Sequence, residues 1–328
     1  MAQNTSGVAG VQKLQLAWTK RKERSLWVDA LRRLVRNRMA MFSFGIITIL
    51  VFMAIFGPLI SPYDYNAQDL ANVNQPPSLQ HWMGTDELGR DILSRIMWGA
   101  RTALLVAVIS QGLSFLIGTL VGGVAAYAGG AVDTVIMRLA DIFMAFPHLL
   151  LAIFVNATIK RPLAEAAYSL YRETGWQILQ NTVLLDYIVV FGALAVAGWP
   201  WAARLIRGQI LSLREQDYVM AARSIGATQW GILRHHLIPN ALGPIIVSFT
   251  AGFGGAMIAE SSLSYLGIGI RPPGASWGAM INESMIGWRM HPHLVAMPGI
   301  VLAICVFAFN MFGDGLNDAL NPRSSHKI

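Results

Sequence analysis

The stretch from Thr102 to Val132 reads TALLVAVISQGLSFLIGTLVGGVAAYAGGAV and contains no charged residue. A transmembrane helix needs about 20 mostly apolar residues to cross the hydrocarbon core of a bilayer. This stretch is long enough, and it shows none of the alternation of apolar and polar residues that is typical of membrane β-barrel strands. It therefore predicts a membrane-spanning α-helix.

Five further runs along the chain are equally apolar. They cover residues 39–63, 142–159, 187–203, 235–259 and 290–313. Because unpaired backbone groups are too costly in lipid, only helices and closed barrels span a membrane. We therefore expect an all-α integral membrane protein with six spans. We place the spans at about 39–61, 102–128, 139–159, 184–206, 240–262 and 294–314.

The composition agrees with a membrane protein and excludes several other classes. Hydrophobic residues make up 54% of the chain and charged residues 13%, about half of the roughly 25% found in soluble domains. The one cysteine, Cys305, excludes a disulfide framework. Adjacent histidines such as His235 and His236 point about 100° apart on a helix, which disfavours a shared metal ion. We predict no metal or cofactor bound by this chain.

The positive charges predict the orientation of the spans, because cytoplasmic loops are rich in Lys and Arg. Most of the 25 Lys and Arg residues fall on one side of a six-span arrangement, so we expect both termini in the cytoplasm. Nine precede the first span: Lys13, Lys20, Arg21, Lys22, Arg24, Arg32, Arg33, Arg36 and Arg38. We interpret 1–38 as a basic segment whose amphipathic helix lies on anionic lipid, rather than a nucleic-acid-binding arm. Residues 323–328 are predicted to form a cytoplasmic tail.

The inner segment at about 207–239, here called the coupling loop, has a helical pattern from Tyr218 to Ala227. Its Ala221-Ala222 pair, Gly226 and Pro239 follow the spacing of the "EAA" coupling motif, and the loop resembles that of importer-type ABC permeases. In that motif, small residues allow two short helices to pack closely at a bend.

The resemblance implies a docking helix that enters a groove on an ATPase subunit. The residues that it assigns to this contact are Tyr218, Ala221, Ala222, Arg223, Gly226, Ala227 and Pro239. The chain departs from the motif at Met220, where Glu is usual, and at His236 and Ile238, which occupy the Ile and Leu positions.

Four other segments resemble signatures of dipeptide and oligopeptide permeases. They read GTDELGRDILSR at 84–95, MRLAD at 137–141, RHHLIPN at 234–240, and ESSLSYLG at 260–267 followed by PP at 272–273 and SWG at 276–278. Because they occur in the same order, the chain over residues 28–322 is similar to the C-type subunit of the peptide/nickel group. The resemblance implies a six-helix, type I ABC importer permease in a bacterial inner membrane.

The resemblance also implies partners: a homologous second permease, two ATP-binding subunits, an extracytoplasmic substrate-binding protein and a peptide substrate. None of the five lysines follows a glycine, so a phosphate-binding loop is absent, and we expect ATP and magnesium in the partner subunits. Nickel chelates, glutathione or another small solute remain open as substrates. A standalone channel or secondary transporter is a more distant alternative. The motifs of an intramembrane hydrolase are absent.

Two carboxylates lie in or beside the apolar runs, where a charge costs about 3 kcal/mol. Glu260 is followed by Ser261 and Ser264, and we expect this group to line a water-filled substrate pathway, where the carboxylate would bind the ammonium of a peptide. The alternative is that Glu260 pairs with an arginine or hydroxyl groups inside the packed protein. The same two interpretations apply to Asp186.

Three further local predictions concern the loops and the glycines. We expect Asp86, Glu87, Arg90 and Asp91 to form a salt-bridged turn in the first outer loop, and 160–181 to form a separate short amphipathic helix. The spacing of Gly118 and Gly122 favours close helix packing over a hinge.

Overall fold

The computed structural model describes residues 26–320, and this range is predominantly helical and contains no strand, which confirms the predicted all-α class. Eleven α-helices lie within it. They are α1 (Leu26–Arg36), α2 (Arg38–Ile60), α3 (Ile92–Ala128), α4 (Gly130–Met144), α5 (His148–Thr174), α6 (Thr182–Arg214), α7 (Asp217–Ser224), α8 (Gln229–Ile232), α9 (Ile238–Tyr265), α10 (Trp277–Glu283) and α11 (Pro292–Leu320). A 3₁₀ turn covers Gln177–Gln180 and a π-helical turn covers Leu233–Leu237.

Five of these helices, α2, α3, α6, α9 and α11, are each long and apolar enough to cross a membrane. The remaining predicted span, at 139–159, corresponds to parts of α4 and α5. These two helices together meet the same criterion, but their axes are bent by 91°. The prediction of one continuous helix over 139–159 is therefore wrong. Pro147 has no N–H to donate, and its ring disfavours helical geometry at Phe146, so the chain turns over residues 145–147.

The helix following this bend also corrects a second prediction. α5 continues without a break to Thr174, so 160–181 does not form a separate amphipathic helix. Gly175, with a φ of 71°, ends α5 in the left-handed conformation.

Several helices extend beyond the predicted spans. α3 begins at Ile92 instead of 102, because the Asp91 side chain accepts a hydrogen bond from the backbone N–H of Ser94 and caps the helix. α6 continues to Arg214 instead of 206, which shortens the coupling loop from the predicted 207–239 to the segment between α6 and α9. Uncharged runs locate only the part of a helix that lies in lipid, since charged side chains are tolerated where it emerges into water.

The helix predicted in the amino-terminal segment is present over the part that the structure describes, and its contact with anionic lipid stays a prediction. Residues 26–36 form the helix α1, and Asn37 then caps α2 by accepting hydrogen bonds from the N–H groups of Met39 and Ala40. Residues 1–25 and the predicted tail, 323–328, lie outside the described residues.

The most extensive helix pairing in the bundle joins α3 to α6. A Cβ atom built on Gly118 would lie 2.5 Å from the Cβ of Ala202, and one built on Gly122 would collide with the carbonyl oxygen of Ala203. Both alanines are fully buried. The two backbones are therefore in contact, and the prediction of close packing at these glycines is confirmed.

Different elements pack against the two ends of the helix pair α3 and α6. At one end, here called the coupling end, lies the coupling loop. At the other end, here called the first-loop end, the indole N–H of the buried Trp277 in α10 donates to the backbone carbonyl of Ile96 in α3, at 3.1 Å. α11 covers α9 and α2 through further small contacts, of Gly313 with Ala251 and of Gly315 with Ala40.

We expect Gly122→Ala to lower the thermal stability of the purified protein, because the added methyl group would overpack the contact with α6, at a typical cost of about 1–3 kcal/mol. Gly123→Ala is the matched control, since a Cβ added at this residue would have no other atom within 4 Å. The control should keep or slightly raise stability, because alanine favours helix. The midpoint of thermal unfolding of each variant is measured in detergent, from the fraction of the protein that remains monodisperse after heating. Equal midpoints for the two variants would contradict the close contact.

Candidate functional site

The helix α7 in the coupling loop is attached to the bundle along one face. Val219 and Ala222 are buried, and they belong to one apolar cluster with Ile206 and Ile210 of α6. The opposite face is open: Met220 is 49% exposed. The exposed face mixes apolar, polar and charged side chains and is accessible to another protein.

The end of α7 explains why a glycine stands at position 226. Gly226 has a φ of 83°, its N–H donates to the carbonyl of Arg223 at 3.0 Å, and the N–H of Ala227 donates to the carbonyl of Ala222 at 3.1 Å. These two bonds form a Schellman motif, which requires the left-handed conformation at this residue. No atom lies within 4 Å of a Cβ built there. The glycine therefore provides backbone conformation, and the expected close packing of two helices at this residue is wrong.

Most of the other residues that the motif assigns to the coupling contact lie on or next to α7, and one lies in α9. Ala221, Arg223 and Ala227 are exposed on or just after α7. Tyr218 is 39% exposed. Pro239 lies farther along the chain, in the first turn of α9, where a missing N–H costs nothing. The structure thus brings six of the seven predicted coupling residues into one continuous segment.

Glu260 is enclosed by hydroxyl groups near the first-loop end. Its Oε1 accepts hydrogen bonds from Ser264 at 2.7 Å and from Ser276 at 2.8 Å, and Ser261 lies 3.4 Å from Oε2. The side chain is 1% exposed. The predicted group of Glu260, Ser261 and Ser264 therefore exists, and Ser276, just before α10, joins it. Ser276 was quoted in the sequence signature, but nothing in the sequence pointed to this contact.

In this conformation, Glu260 is packed between α9 and the segment leading to α10, and the hydroxyl groups take the place of water. The substrate-pathway role of Glu260 stays a prediction. It requires that α10 and the preceding loop separate from α9, since Ser264 also accepts a hydrogen bond from the backbone N–H of Ile270 at 3.0 Å.

Asp186 is the second buried carboxylate, and it has two cationic partners. The Nζ of Lys160 in α5 lies 2.6 Å from Oδ1, and the Nε of Arg271 lies 3.4 Å from Oδ2. The Arg271 backbone N–H also donates to it, at 3.3 Å. Asp186 thus joins α5, α6 and the segment after α9.

The predicted salt-bridged turn in the first loop is confirmed for Asp86 and Arg90 only. Asp91 instead lies 2.9 Å from the Nδ1 of His81, and Glu87 forms no ion pair within residues 26–320. The carboxylate of Asp86 binds the guanidinium groups of Arg90 at 2.7 Å and Arg95 at 2.6 Å, and both arginines also bind Glu283 of α10, at 2.7 and 2.9 Å. Asp86, Arg90 and Arg95 are buried. Arg95 stood within the quoted signature, whereas no local signal could have identified Glu283, which is distant along the chain.

A cavity of about 740 Å³ opens beside this network, lined by Asp86, Glu87 and Glu283 among others. The same loop holds Asp69, whose pKa is lowered by the hydrogen bond from the Asn72 amide and by that from the Ala71 backbone N–H. Within residues 26–320, no group of three or more His, Cys, Asp or Glu side chains is arranged to hold a metal ion.

A bundle of helices that can span a membrane, with a short half-exposed helix at one end and an ordered polar loop at the other, is the architecture expected for a permease subunit of a transporter. The family model described as "Binding-protein-dependent transport system inner membrane component" matches residues 114–326, and the model described as "N-terminal TM domain of oligopeptide transport permease C" matches 25–77. The chain belongs to this family of binding-protein-dependent inner membrane permeases, and it is a permease subunit of an ABC importer.

Relatives align over nearly the whole chain. The chain is 38% identical to the oligopeptide transport system permease protein OppC of Bacillus subtilis over 303 residues, which are 92% of each chain. It is 39% identical to the dipeptide transport system permease protein DppC of the same organism, over 93% of this chain and 88% of the relative. It is 40% identical to the glutathione transport system permease protein GsiD of Escherichia coli, over 92% and 91%.

A solved structure shows the same fold. A chain of the MetNI methionine ABC transporter, described as inward facing, superposes with a TM-score of 0.54 at 19% sequence identity, covering 69% of this chain and 96% of the other. The predicted type I permease fold is confirmed.

We expect Glu260→Gln to assemble normally, because an amide oxygen can still accept the hydrogen bonds from Ser264 and Ser276. If the carboxylate lies in the pathway, this variant should reduce substrate uptake in reconstituted vesicles while basal ATP hydrolysis by the assembled complex is retained. Glu260→Ala should lower stability by about 1–3 kcal/mol, since it leaves buried hydroxyl groups without their acceptor. Normal uptake by Glu260→Gln together with an unstable Glu260→Ala would show that Glu260 is a packing group only.

Proposed function

We propose that this chain imports peptides, forming the translocation pathway together with a homologous second permease. Two ATP-binding subunits dock on the coupling loop, and a substrate-binding protein delivers the peptide at the first-loop end. The names of the relatives support this substrate class, since oligopeptides, dipeptides and glutathione all contain peptide bonds. Nickel chelates or another small solute would use the same architecture.

The observation that carries the proposal is the one-sided attachment of α7. Its buried face, with Val219 and Ala222, shares a cluster with residues of α6, with Phe115 of α3 and with Leu237 of the π-helical turn. A displacement of α7 therefore moves α6 and α3 with it, because tightly packed side chains transmit strain. The exposed face, with Met220 and the neighbouring Ile225, supplies apolar surface for the groove of an ATPase subunit.

This arrangement yields a mechanism of coupling. When ATP binding draws the two ATP-binding subunits together, each grips a docking helix and moves it as a rigid body. The permease pair then rocks, so that the shared cavity opens toward the substrate-binding protein, and ATP hydrolysis resets the pair. ATP and magnesium act in the partner subunits, and this chain contributes the rigid connection and part of the pathway wall.

The orientation is part of the proposal. The coupling end, together with both chain termini, faces the cytoplasm, and the protein lies in a bacterial inner membrane. The clustering of Lys and Arg residues on this side supports it, as does the position of the arginines Arg204, Arg207, Arg214 and Arg223 at the coupling end.

The function is tested by uptake of a radiolabelled peptide into vesicles that contain this chain and its partner subunits. Wild-type complex should accumulate peptide when ATP is supplied. Gly226→Val should insert and assemble but lose most uptake while retaining ATP hydrolysis, because a β-branched residue resists the left-handed conformation, which costs about 1–2 kcal/mol even for ordinary residues.

Gly226→Asn is the matched control, since asparagine tolerates this conformation. It should retain most of the wild-type uptake. Equal uptake by Gly226→Val and wild type would refute the coupling role of this segment. Failure of the wild type to accumulate any peptide, with uptake of a different solute, would refute the substrate class.

The orientation is tested by cysteine labelling. Cys305 is the only cysteine of the chain and is buried, so background labelling should be low. Leu79→Cys, at a side chain 96% exposed in the first outer loop, should react with an impermeant thiol reagent added to intact cells. Ile225→Cys, at a side chain 86% exposed at the coupling end, should react only after permeabilisation. The opposite pattern would reverse the orientation.

A further inference from the structure

A cavity of about 640 Å³ lies at the coupling end, between the last turn of α3, the start of α4 and the coupling loop. Two arginines line it: Arg214, at the end of α6, and Arg223, in α7. Neither side chain forms an ion pair with any residue in the described range, 26–320. The Nε of Arg214 is buried and lacks a hydrogen-bond partner. The described part of the chain therefore supplies no acceptor for this part of the Arg214 guanidinium group.

The acidic groups near this cavity do not neutralise the two arginines. Asp133 binds Arg207 through both of its oxygens, at 2.5 Å each, and Asp141 is paired with Arg204. Glu215 and Asp217 are close along the chain, but neither forms an ion pair with Arg214 or Arg223. The cavity is therefore positively charged.

The backbone adds no net positive potential, because the C-terminal turn of α3 and the N-terminal end of α4 both border the cavity and their partial charges oppose each other. α4 begins at Gly130 after Gly129, no side chain caps this helix end, and both glycines line the cavity. The first N–H groups of a helix have no partner within the helix, and the helix dipole places a partial positive charge there.

We propose that this cavity binds a phosphoryl group, held by Arg214 and Arg223. Guanidinium groups present paired N–H donors that match the oxygens of a phosphate. The source is either the headgroup of an anionic phospholipid or free phosphate. Because Arg214 belongs to the bundle and Arg223 to α7, the bound phosphate bridges them and fixes the docking helix relative to α6. The site goes beyond the proposed import of peptides and does not depend on it.

The test uses the full-length chain, purified in detergent. Native mass spectrometry measures retention of added phosphatidylglycerol, and equilibrium dialysis measures binding of radiolabelled inorganic phosphate. We expect one of these probes to bind, and Arg214→Gln and Arg223→Gln each to weaken binding about tenfold, as expected for the loss of a charge-assisted hydrogen bond. Arg234→Gln is the matched control: it removes the same charge from the same loop, at an exposed residue that does not line the cavity.

The outcomes separate the possible explanations. Binding of phosphatidylglycerol alone identifies a lipid headgroup, and binding of inorganic phosphate identifies a soluble anion. Equal weakening by Arg234→Gln and Arg214→Gln would overturn the site, because it would show only attraction to a basic surface. Failure of both probes to bind would also overturn it and would favour an acidic side chain of a partner subunit as the occupant. If Arg214→Gln does not fold, the exposed Arg223→Gln and the charge-preserving Arg214→Lys decide.

Discussion

The contact between the backbones of α3 and α6 is the constraint on which the rest of the structure depends. Gly118 and Gly122 allow Ala202 and Ala203 to approach so closely that no side chain separates the two helices. In lipid, helices gain little from burying apolar surface against each other, so close van der Waals contact supplies much of the association. The cluster that anchors α7 at the coupling end and the hydrogen bond of Trp277 at the first-loop end are both built on this pair.

The sequence was sufficient for the parts of the fold that follow from the cost of placing charge in lipid. Uncharged runs located α2, α3, α6, α9 and α11, and the four signatures identified the family. The same criterion could not place the helix ends, because a helix can continue beyond the lipid through charged residues such as Arg95 or Arg214, at which an uncharged run stops. It also missed the bend at Pro147, since a proline within an apolar run is compatible with either a kinked helix or a full break.

The residues of the candidate site could be predicted where they are close together in the sequence, and could not be predicted where only the fold brings them together. The predicted coupling residues on α7 are neighbours in the sequence, so a spacing pattern was sufficient to predict them. Ser276 and Glu283 contact Glu260 and Arg95 only through the tertiary fold, and no local pattern marks such pairs. For Gly226 the predicted physical reason was wrong: a glycine can be required by backbone conformation or by lack of room, and only the folded structure distinguishes them.

The length of α3 has a consequence for communication across the membrane. Its 37 residues span roughly 55 Å at 1.5 Å per residue, against about 30 Å for the hydrocarbon core. One continuous rod thus carries Arg95 of the buried ionic network near one end and Tyr127, at the wall of the arginine-lined cavity, near the other. A tilt of about 5° around one end of such a rod displaces the other by roughly 5 Å, which is about the width of a peptide backbone. A single secondary-structure element therefore joins the buried ionic network to the coupling end, with no intermediate part between them.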